Sequence, residues 1–397
     1  MKIVVSHPTR QHSDKLAFAL NANNMLSQYF TLLPDRRALR HIPAWFDKYL
    51  PRTIFRNSLE PIPVERIKVL LGPLLIQRIT HNNPKLSIKN WGEYISWVVF
   101  DKWVASKIEA LVPDVVVGYE MCCLETFKEA KRLGIPRVLD AAACHYRYVD
   151  RVMPEKLLGH QNYAGQSLRN RKDEEIALAS QILCVSEFAA KSYTDHGVPK
   201  NKVILNPLGC DLSLFNRASL VKTSTDVNLL FIGQQSYHKG FDILIKVFES
   251  LLQTCPQANL TVIGPGGDWA KKDRPKNIRC RGMLTHSEIV AELERADCLI
   301  LPSRCESFGL VVLEALASGT PVIVSKRAGS SMAVKEGHNG WLFDPNIWTE
   351  LHELVLKFSK NIIDNRTKGT VCRESVRTWH WDSYKERAVV ILKDLIK

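Results

Sequence analysis

No stretch of this 397-residue chain reaches the run of about 18 apolar residues that a helix needs to cross a bilayer. Hydropathy therefore argues against a membrane-spanning fold. The opening Met1-Lys2-Ile3-Val4-Val5-Ser6 reads as a short strand followed by polar residues, unlike the charged, apolar and small-residue regions of a secretory signal. A cytoplasmic location is the expectation. Ten cysteines, at 122, 123, 144, 184, 210, 255, 280, 298, 305 and 372, lack the spacings of a zinc site or a disulfide framework, and read as reduced, mostly buried thiols. Internal repeats and low-complexity tracts are missing, which rules out solenoids and fibrous arrays. So are helix-turn-helix, zinc and aromatic stacking patterns, and nucleic acid is not expected as a partner. Gly264-Pro265-Gly266-Gly267 has neither the lysine nor the hydroxyl of a phosphate-binding P-loop and reads as a turn.

The composition, 45 % apolar and 24 % charged, is that of a globular protein, and the length suits two domains of roughly 150 to 200 residues. A net charge of +13 favours a polyanionic partner: nucleic acid, an anionic membrane or a phosphate-rich ligand. Short apolar runs alternate with helical patterns in both halves, the signature of doubly wound α/β layers with parallel sheets. Strands are expected at Ile3–Ser6, Val115–Gly118, Arg137–Asp140 and Ile182–Val185, and then at Leu229–Gly233, Leu260–Gly264, Cys298–Pro302 and Pro321–Ser325.

Between the two sets, Asn206-Pro207-Leu208-Gly209-Cys210-Asp211 and the polar Lys222-Thr223-Ser224-Thr225-Asp226 carry turn and linker residues without periodicity. The expected division is residues 1–208, residues 226–378, and a terminal helix over 381–397 that returns to the first domain. Two such domains leave a cleft between them, a usual place for a ligand. Residues of about 36 to 104 read as a mainly helical insertion in which Arg36, Arg37, Arg40, Lys48, Arg52, Arg56, Arg66 and Lys68 interleave with Trp45, Phe46, Tyr49, Ile54 and Phe55. This mixture suits a surface resting on anionic headgroups; the other reading is a solvated insertion whose aromatics point into the core.

The chemistry concentrates after the strand ending Leu301-Pro302. The chain passes through Ser303-Arg304-Cys305-Glu306-Ser307 and enters a helix that Gly319 terminates, with Pro321 just beyond. That loop sits at the carboxyl end of a parallel strand, where open α/β sheets bind ligands. The N–H groups of Phe308, Gly309 and Leu310 at the helix start suit an anion such as a diphosphate, and Gly309 allows close backbone approach. Glu306 lies before the helix and Glu314 about one and a half turns into it, so both carboxylates can face one pocket. Glu314 stands among Leu310, Val311, Val312, Leu313, Ala315 and Leu316, where a charge is costly to bury unless its oxygens accept hydrogen bonds. Two vicinal ribose hydroxyls would satisfy them; the alternative is a glutamate that is exposed or paired with an arginine.

The stretch from Ser303 to Ile323, SRCESFGLVVLEALASGTPVI, closely resembles the signature of the large family-four group of retaining GT-B glycosyltransferases, also called glycosyl transferases group 1. Its hallmark is two glutamates separated by seven residues. Phe231-Ile232-Gly233 followed by Lys239-Gly240, Asn206 to Asp211, Val262-Ile263-Gly264 and Gly337-His338-Asn339-Gly340-Trp341-Leu342-Phe343 fall in the family's order. The resemblance runs from about residue 174 to 345.

It implies a GT-B fold, two Rossmann-like doubly wound parallel-sheet domains facing a central cleft. Glu314 would hold the ribose of a nucleotide-sugar donor, Glu306 would contact the transferred sugar, and Lys239 would neutralise the departing diphosphate. Gly233, Gln234, Ser307, Phe308, Gly309 and Leu310 would complete the donor half-site. The implied activity is metal-independent, retaining transfer of a sugar to a saccharide or lipid-linked acceptor in surface polysaccharide or glycolipid synthesis, with no cofactor beyond the donor. The chain has no Asp-x-Asp to bind a metal as in the other glycosyltransferase fold. A cytoplasmic protein held peripherally at the inner face of the membrane would meet such acceptors.

Departures from the pattern lie mainly in the first half. Gln234 stands where the family usually has an arginine, which shifts weight to Lys239 and to Arg10 in the loop His7-Pro8-Thr9-Arg10-Gln11-His12-Ser13; that loop lacks the family's paired glycines. The histidine that many relatives have after the fourth strand is absent at Val117-Gly118-Tyr119-Glu120, and His145 is a candidate to reach the cleft in its place, ahead of the strand-end carboxylates Asp140 and Glu120. These departures keep open a non-catalytic nucleotide-sugar-binding or membrane-scaffold protein, or a nucleotide-sugar epimerase on the same fold.

Overall fold

The computed structural model describes residues 1–9, 11–33, 62–81, 86–154, 163–215, 226–266 and 275–395. Arg10, the insertion residues 36–61 and the linker residues 222–225 lie outside the described residues. The first half runs β1 (Ile3–Ser6), α1 (Ser13–Ala22), β2 (Leu26–Thr31), β3 (Ile67–Val69), α2 (Gly72–His81), α3 (Leu86–Leu111), β4 (Val115–Tyr119), α4 (Leu124–Arg132), β5 (Arg137–Ala141), α5 (Tyr146–Val152), α6 (Tyr163–Leu178), β6 (Gln181–Cys184), α7 (Glu187–Thr194) and β7 (Val203–Leu205). Its strands form one parallel sheet in the order β3-β2-β1-β4-β5-β6-β7.

The second half runs β8 (Asn228–Ile232), α8 (Phe241–Leu252), β9 (Asn259–Ile263), β10 (Ile278–Gly282), α9 (His286–Arg295), β11 (Cys298–Leu301), α10 (Leu310–Ser318), β12 (Val322–Ser325) and β13 (Gly340–Phe343). The helices α11 (Trp348–Lys360), α12 (Ile362–Arg366), α13 (Gly369–Ser375) and α14 (Trp381–Asp394) follow. The second sheet is parallel throughout, in the order β10-β9-β8-β11-β12-β13. Strands buried on both faces explain the continuous apolar runs. The apolar-polar alternation of a half-exposed strand is absent from Ile3–Ser6, Cys298–Leu301 and Val322–Ser325, every residue of which is buried.

All eight expected strands form, most shifted by one residue at an end. Five further strands, β2, β3, β7, β10 and β13, were not legible. β10, Ile278-Arg279-Cys280-Arg281-Gly282, is an edge strand whose residues after Ile278 are mostly exposed, so it carries charge where an inner strand carries valine. The described part of the insertion is mainly helical. It places Arg66 in a one-turn helix and Lys68 on the edge strand β3 before helices α2 and α3 begin, and Arg66 donates to Asn21 Oδ1 at 2.8 Å. No described helix is long and apolar enough to cross a membrane.

Two chain segments run side by side between the sheets. The Cys210 N–H donates to the Trp379 carbonyl at 2.9 Å, and a Cβ on Gly209 would overlap the backbone of His380, which fixes glycine there. Beyond this crossing α14 packs on α1: the Lys385 ammonium sits 4.6 Å from the centre of the Phe18 ring, Tyr384 meets His12 edge-on at 5.7 Å, and Arg387 donates to the Pro207 carbonyl at 2.6 Å. Each sheet reverses its winding at one point, between β1 and β4 and between β8 and β11, and the loops at the carboxyl ends of these strands supply both halves of the candidate site.

Candidate functional site

The donor-side half is built from the loops after β8 and β11. Gly240 caps α8 in the left-handed region at φ 66°, and a Cβ there would overlap the Pro302 carbonyl oxygen, so only glycine lets the two loops touch. Arg304 then locks them. Its guanidinium makes a two-pronged ion pair with Asp242 at 2.6 and 2.7 Å, donates to the Tyr237 carbonyl at 2.8 Å and lies 3.6 Å from the centre of the Tyr237 ring. This clamp brings Lys239 against Glu306, and the Lys239 ammonium donates to Glu306 Oε2. Both side chains keep part of their surface open, 25 % and 15 %. Burial holds the imidazole of the neighbouring His238 below its ordinary pKa, with the Lys239 charge adding to the effect.

After Glu306 the chain turns into α10 through Gly309, in the left-handed region at φ 92°. The 3₁₀ turn Gly329–Ala333 braces this corner, its Gly329 and Ser330 N–H groups donating to the Glu306 and Phe308 carbonyls at 2.8 and 2.6 Å. The N–H groups of Phe308, Gly309 and Leu310 have no acceptor among the described residues, so the helix start presents open donors beside Lys239. The Phe308 ring itself is buried and packs toward Trp379 with centroids 6.2 Å apart, leaving only its N–H to the site. The hydroxyls of Ser303 and Ser330 are buried without a partner among the described residues. Nothing in the sequence singled them out, because a serine at a strand end looks like any other until the fold surrounds it.

Glu314 is neither exposed nor paired with an arginine. Its carboxylate accepts no hydrogen bond from any described residue, and burial raises its pKa above the ordinary glutamate value, with the charge of nearby His286 acting the other way. The Glu314 charge also raises the pKa of the Cys210 thiol, secondary to burial. Gly233 ends β8 with its N–H bonded to the Ile263 carbonyl at 2.9 Å, and the exposed Gln234 follows at the rim. Ser307 is engaged elsewhere: its hydroxyl accepts from the Cys144 N–H at 3.1 Å and its carbonyl from the Ser186 hydroxyl at 2.6 Å, stitching the second domain to loops of the first.

His145 is not brought to this group. Its ring is buried, stacked on His196 at 4.8 Å and on Tyr146 at 5.0 Å, and its Nδ1 accepts from the Arg147 N–H at 3.2 Å to cap α5. Burial lowers its pKa to about 4. The expectation that its imidazole reaches the cleft gives way to a packed, neutral ring; what extends to the donor loop is its neighbour Cys144, through the bond to Ser307.

The first domain offers a different set at its own switch point, a cavity of about 230 Å³ lined by the loops after β1, β4 and β5 together with Trp97 of α3 and Lys172 of α6. His7, Thr9, Gln11, Glu120 and Asp140 reach it. Asp140 accepts from His12 Nε2 at 2.9 Å through one oxygen, while the other is buried with no hydrogen-bond partner among the described residues. Burial depresses the His7 imidazole to about 4. Glu120 accepts from the Tyr193 hydroxyl. Behind the loop Glu120–Cys123, a buried group holds its backbone: Glu175 accepts from the Met121 and Cys123 N–H groups at 2.6 and 3.0 Å, and Arg171 pairs with Asp101 and donates to the Met121 carbonyl at 2.8 Å. Burial pushes the Glu175 carboxyl up to about 7. The strand-end carboxylates were visible in the sequence; Trp97 and Lys172, contributed by helices, were not.

Two parallel-sheet Rossmann-like domains with a phosphate-suited helix start in the second define the GT-B class of fold. Residues 214–368 match the model of the family described as Glycosyl transferases group 1. Glycogen synthase of Mycobacterium tuberculosis is 38 % identical over 151 residues, covering 36 % of this chain and 36 % of that protein. D-inositol 3-phosphate glycosyltransferase of Corynebacterium glutamicum is 35 % identical over 185 residues, covering 42 % and 43 %. The chain thus spans well under half the length of these curated relatives. Over the whole fold it is similar to sucrose-phosphate synthase of Thermosynechococcus elongatus, with a TM-score of 0.70 at 17 % identity over 99 % of this chain and 98 % of that one. It is also similar to Anabaena HepE in complex with UDP-glucose, with a TM-score of 0.62 at 15 % identity over 99 % and 100 %.

Proposed function

We propose that this chain is a retaining glycosyltransferase that moves a sugar from a nucleoside diphosphate donor to a saccharide or lipid-linked acceptor. The observation that carries this reading is the grouping of Lys239, Glu306, the open Phe308–Leu310 amides and the half-buried carboxylate of Glu314, which has no partner among the described residues, around one switch point. Breaking the bond between sugar and diphosphate builds negative charge on a phosphate oxygen. A fixed ammonium and aligned amide donors stabilise that charge without a metal or cofactor. Vicinal ribose hydroxyls supply the two hydrogen bonds that Glu314 lacks. As the donor enters, Lys239 exchanges Glu306 for the diphosphate, and the freed Glu306 is available to the transferred sugar. Glu306 positions and stabilises; no covalent intermediate on it is invoked.

The division of labour we propose sets the donor on residues 226–378 and the acceptor on residues 1–208, with the 381–397 helix tying them. Arg10 is a further candidate for the diphosphate. A relative in fold that binds UDP-glucose makes uridine diphosphate sugars the first donors to try. Surface polysaccharide or glycolipid synthesis at the cytoplasmic face of a membrane fits the basic insertion.

Gln234 in the place of a charged residue, and a neutral packed His145, favour one second reading: a nucleotide-sugar-binding protein without transfer, or an epimerase needing no acceptor. Sugar release and transfer measured with wild type, Lys239→Ala and Glu306→Gln decide between them. Transfer in the wild type with a loss of a hundredfold or more in both variants is expected. Near-wild-type rates in both would remove these residues from the site, and a donor isomer in the product mass analysis would favour epimerisation.

A further inference from the structure

The two domains meet at a seam beside the donor loop. From the second domain Ser307 reaches across: its hydroxyl accepts from the Cys144 N–H at 3.1 Å, and its carbonyl accepts from the Ser186 hydroxyl at 2.6 Å. The approach is so close that a Cβ on Gly329 would overlap both the Ser307 carbonyl and the Ser186 side chain. This seam brings two thiols together. Cys305, the residue before Glu306, and Cys144, in the loop after β5, are each 1 % exposed and belong to one apolar cluster that spans both domains. They lie within hydrogen-bonding reach of each other, and both are free thiols.

Two facing thiols on separate domains are the starting state of a reversible cross-link. While the domains are together the pair is protected. The hydrogen bond with Cys144, and after it burial, hold the Cys305 thiol well above its ordinary pKa, and a protonated thiol is a poor nucleophile. Domains of one chain joined over a small seam move relative to each other, and opening parts the sulfurs and wets them. A thiolate exposed in that state attacks one oxygen of a peroxide; its sulfur is oxidised to a sulfenic acid, and the other oxygen leaves as hydroxide and takes up a proton to become water. On closure the second thiol attacks the sulfenic sulfur, the S–S bond forms, the S–O bond breaks and a second water leaves. Two thiols and one peroxide thus give one disulfide and two waters.

We propose that Cys144 and Cys305 are a redox pair, converted by a peroxide into an inter-domain disulfide that locks the donor loop against the first domain. The bond fastens the residue preceding Glu306 to the opposite wall of the cleft, so the loop that carries Glu306 cannot swing away to admit or release a nucleotide. The effect on nucleotide rests on the glycosyltransferase reading; the cross-link itself does not.

The test uses the full chain carrying Cys280→Ser, which removes the exposed thiol, treated with hydrogen peroxide and compared before and after dithiothreitol. Peptide mass mapping without reduction is expected to find Cys144 joined to Cys305. Stopped-flow UDP binding is expected to slow at least tenfold on oxidation and to recover with dithiothreitol. Adding Cys144→Ser or Cys305→Ser, each of which keeps the backbone contacts of the seam, should abolish the bond and the peroxide sensitivity together; circular dichroism of the reduced variants reports an intact fold. No joined peptide in the peroxide-treated chain, a joined peptide with UDP binding unchanged, or undiminished peroxide sensitivity in both serine variants overturns the proposal. A joined peptide in a chain that binds no UDP when reduced would sink the donor reading and leave the cross-link standing; UDP binding without the joined peptide would do the reverse.

Discussion

Replacing Glu314 with glutamine separates binding from stability, because the two effects have opposite signs. In the folded chain the carboxylate is half-buried with no hydrogen-bond donor from any described residue. A nucleotide ribose would give it two hydroxyl donors, and a hydrogen bond to a charged group contributes about 1.5–3 kcal/mol against about 0.5–1.5 for a neutral one. Glutamine keeps one acceptor oxygen without charge and turns an amino group toward the second hydroxyl. The net loss is about 2–3 kcal/mol, roughly 30- to 150-fold in Kd. Stability should move the other way. Burial raises the Glu314 pKa, so the folded state holds its proton more tightly than the unfolded chain. The contribution of this group is fully present below the ordinary glutamate value of about 4.3 and is lost as pH rises through the raised folded value. At neutral pH the wild type carries that deficit and Glu314→Gln does not. Isothermal calorimetry with UDP and with its 2′- and 3′-deoxy analogues measures the first effect, and denaturant unfolding between pH 4 and 8 the second. Wild type should discriminate against both analogues and the variant hardly at all, while the variant unfolds at higher denaturant at pH 7. UDP binding within twofold of wild type, in a variant shown to be folded, would refute the assignment of Glu314 to the ribose.

Gly240→Ala adds a methyl into the Pro302 carbonyl at a left-handed φ, and should cost about 1–3 kcal/mol; differential scanning calorimetry should show a lowered Tm with UDP affinity reduced beyond what the Tm alone implies. Arg304→Lys keeps the charge but gives up the paired contact with Asp242 and the stack on Tyr237, so donor turnover should fall while Arg304→Gln falls further; equal rates in all three would dismiss the clamp. Arg171→Met strands the buried acids Asp101 and Glu175, an effect of about 3–5 kcal/mol that urea unfolding would register, and one that should ease as pH falls toward the raised Glu175 value of about 7, because a protonated Glu175 no longer needs the cation.

How much of this was written along the chain depends on how local each feature is. The inner strands were legible because burial on both faces demands unbroken apolar runs, a pattern carried by consecutive residues. The helix start at Phe308–Leu310 was legible for the same reason: a strand, a turning glycine and a helix in succession force open amides wherever they occur. Edge strands such as β10 and the three-residue β3 were not, since a strand with one solvent face and few residues carries no distinctive pattern. His145 misled because a histidine at a strand end looks alike in sequence whether its ring opens to a cleft or stacks on His196. That choice is made by α7 and its following turn, some fifty residues away.

The sequence by itself determined which residues are suited to phosphate, sugar and ribose, because residue type and local turn geometry travel with the chain. Only the tertiary structure decided that Lys239 rests on Glu306, that Ser307 is held by Cys144 and Ser186, and that Trp97 of one helix completes a cavity built by three distant loops. Each of these depends on two segments meeting across a sheet or a domain cleft, and the energy of such a meeting is set by both partners together, so neither segment records it alone.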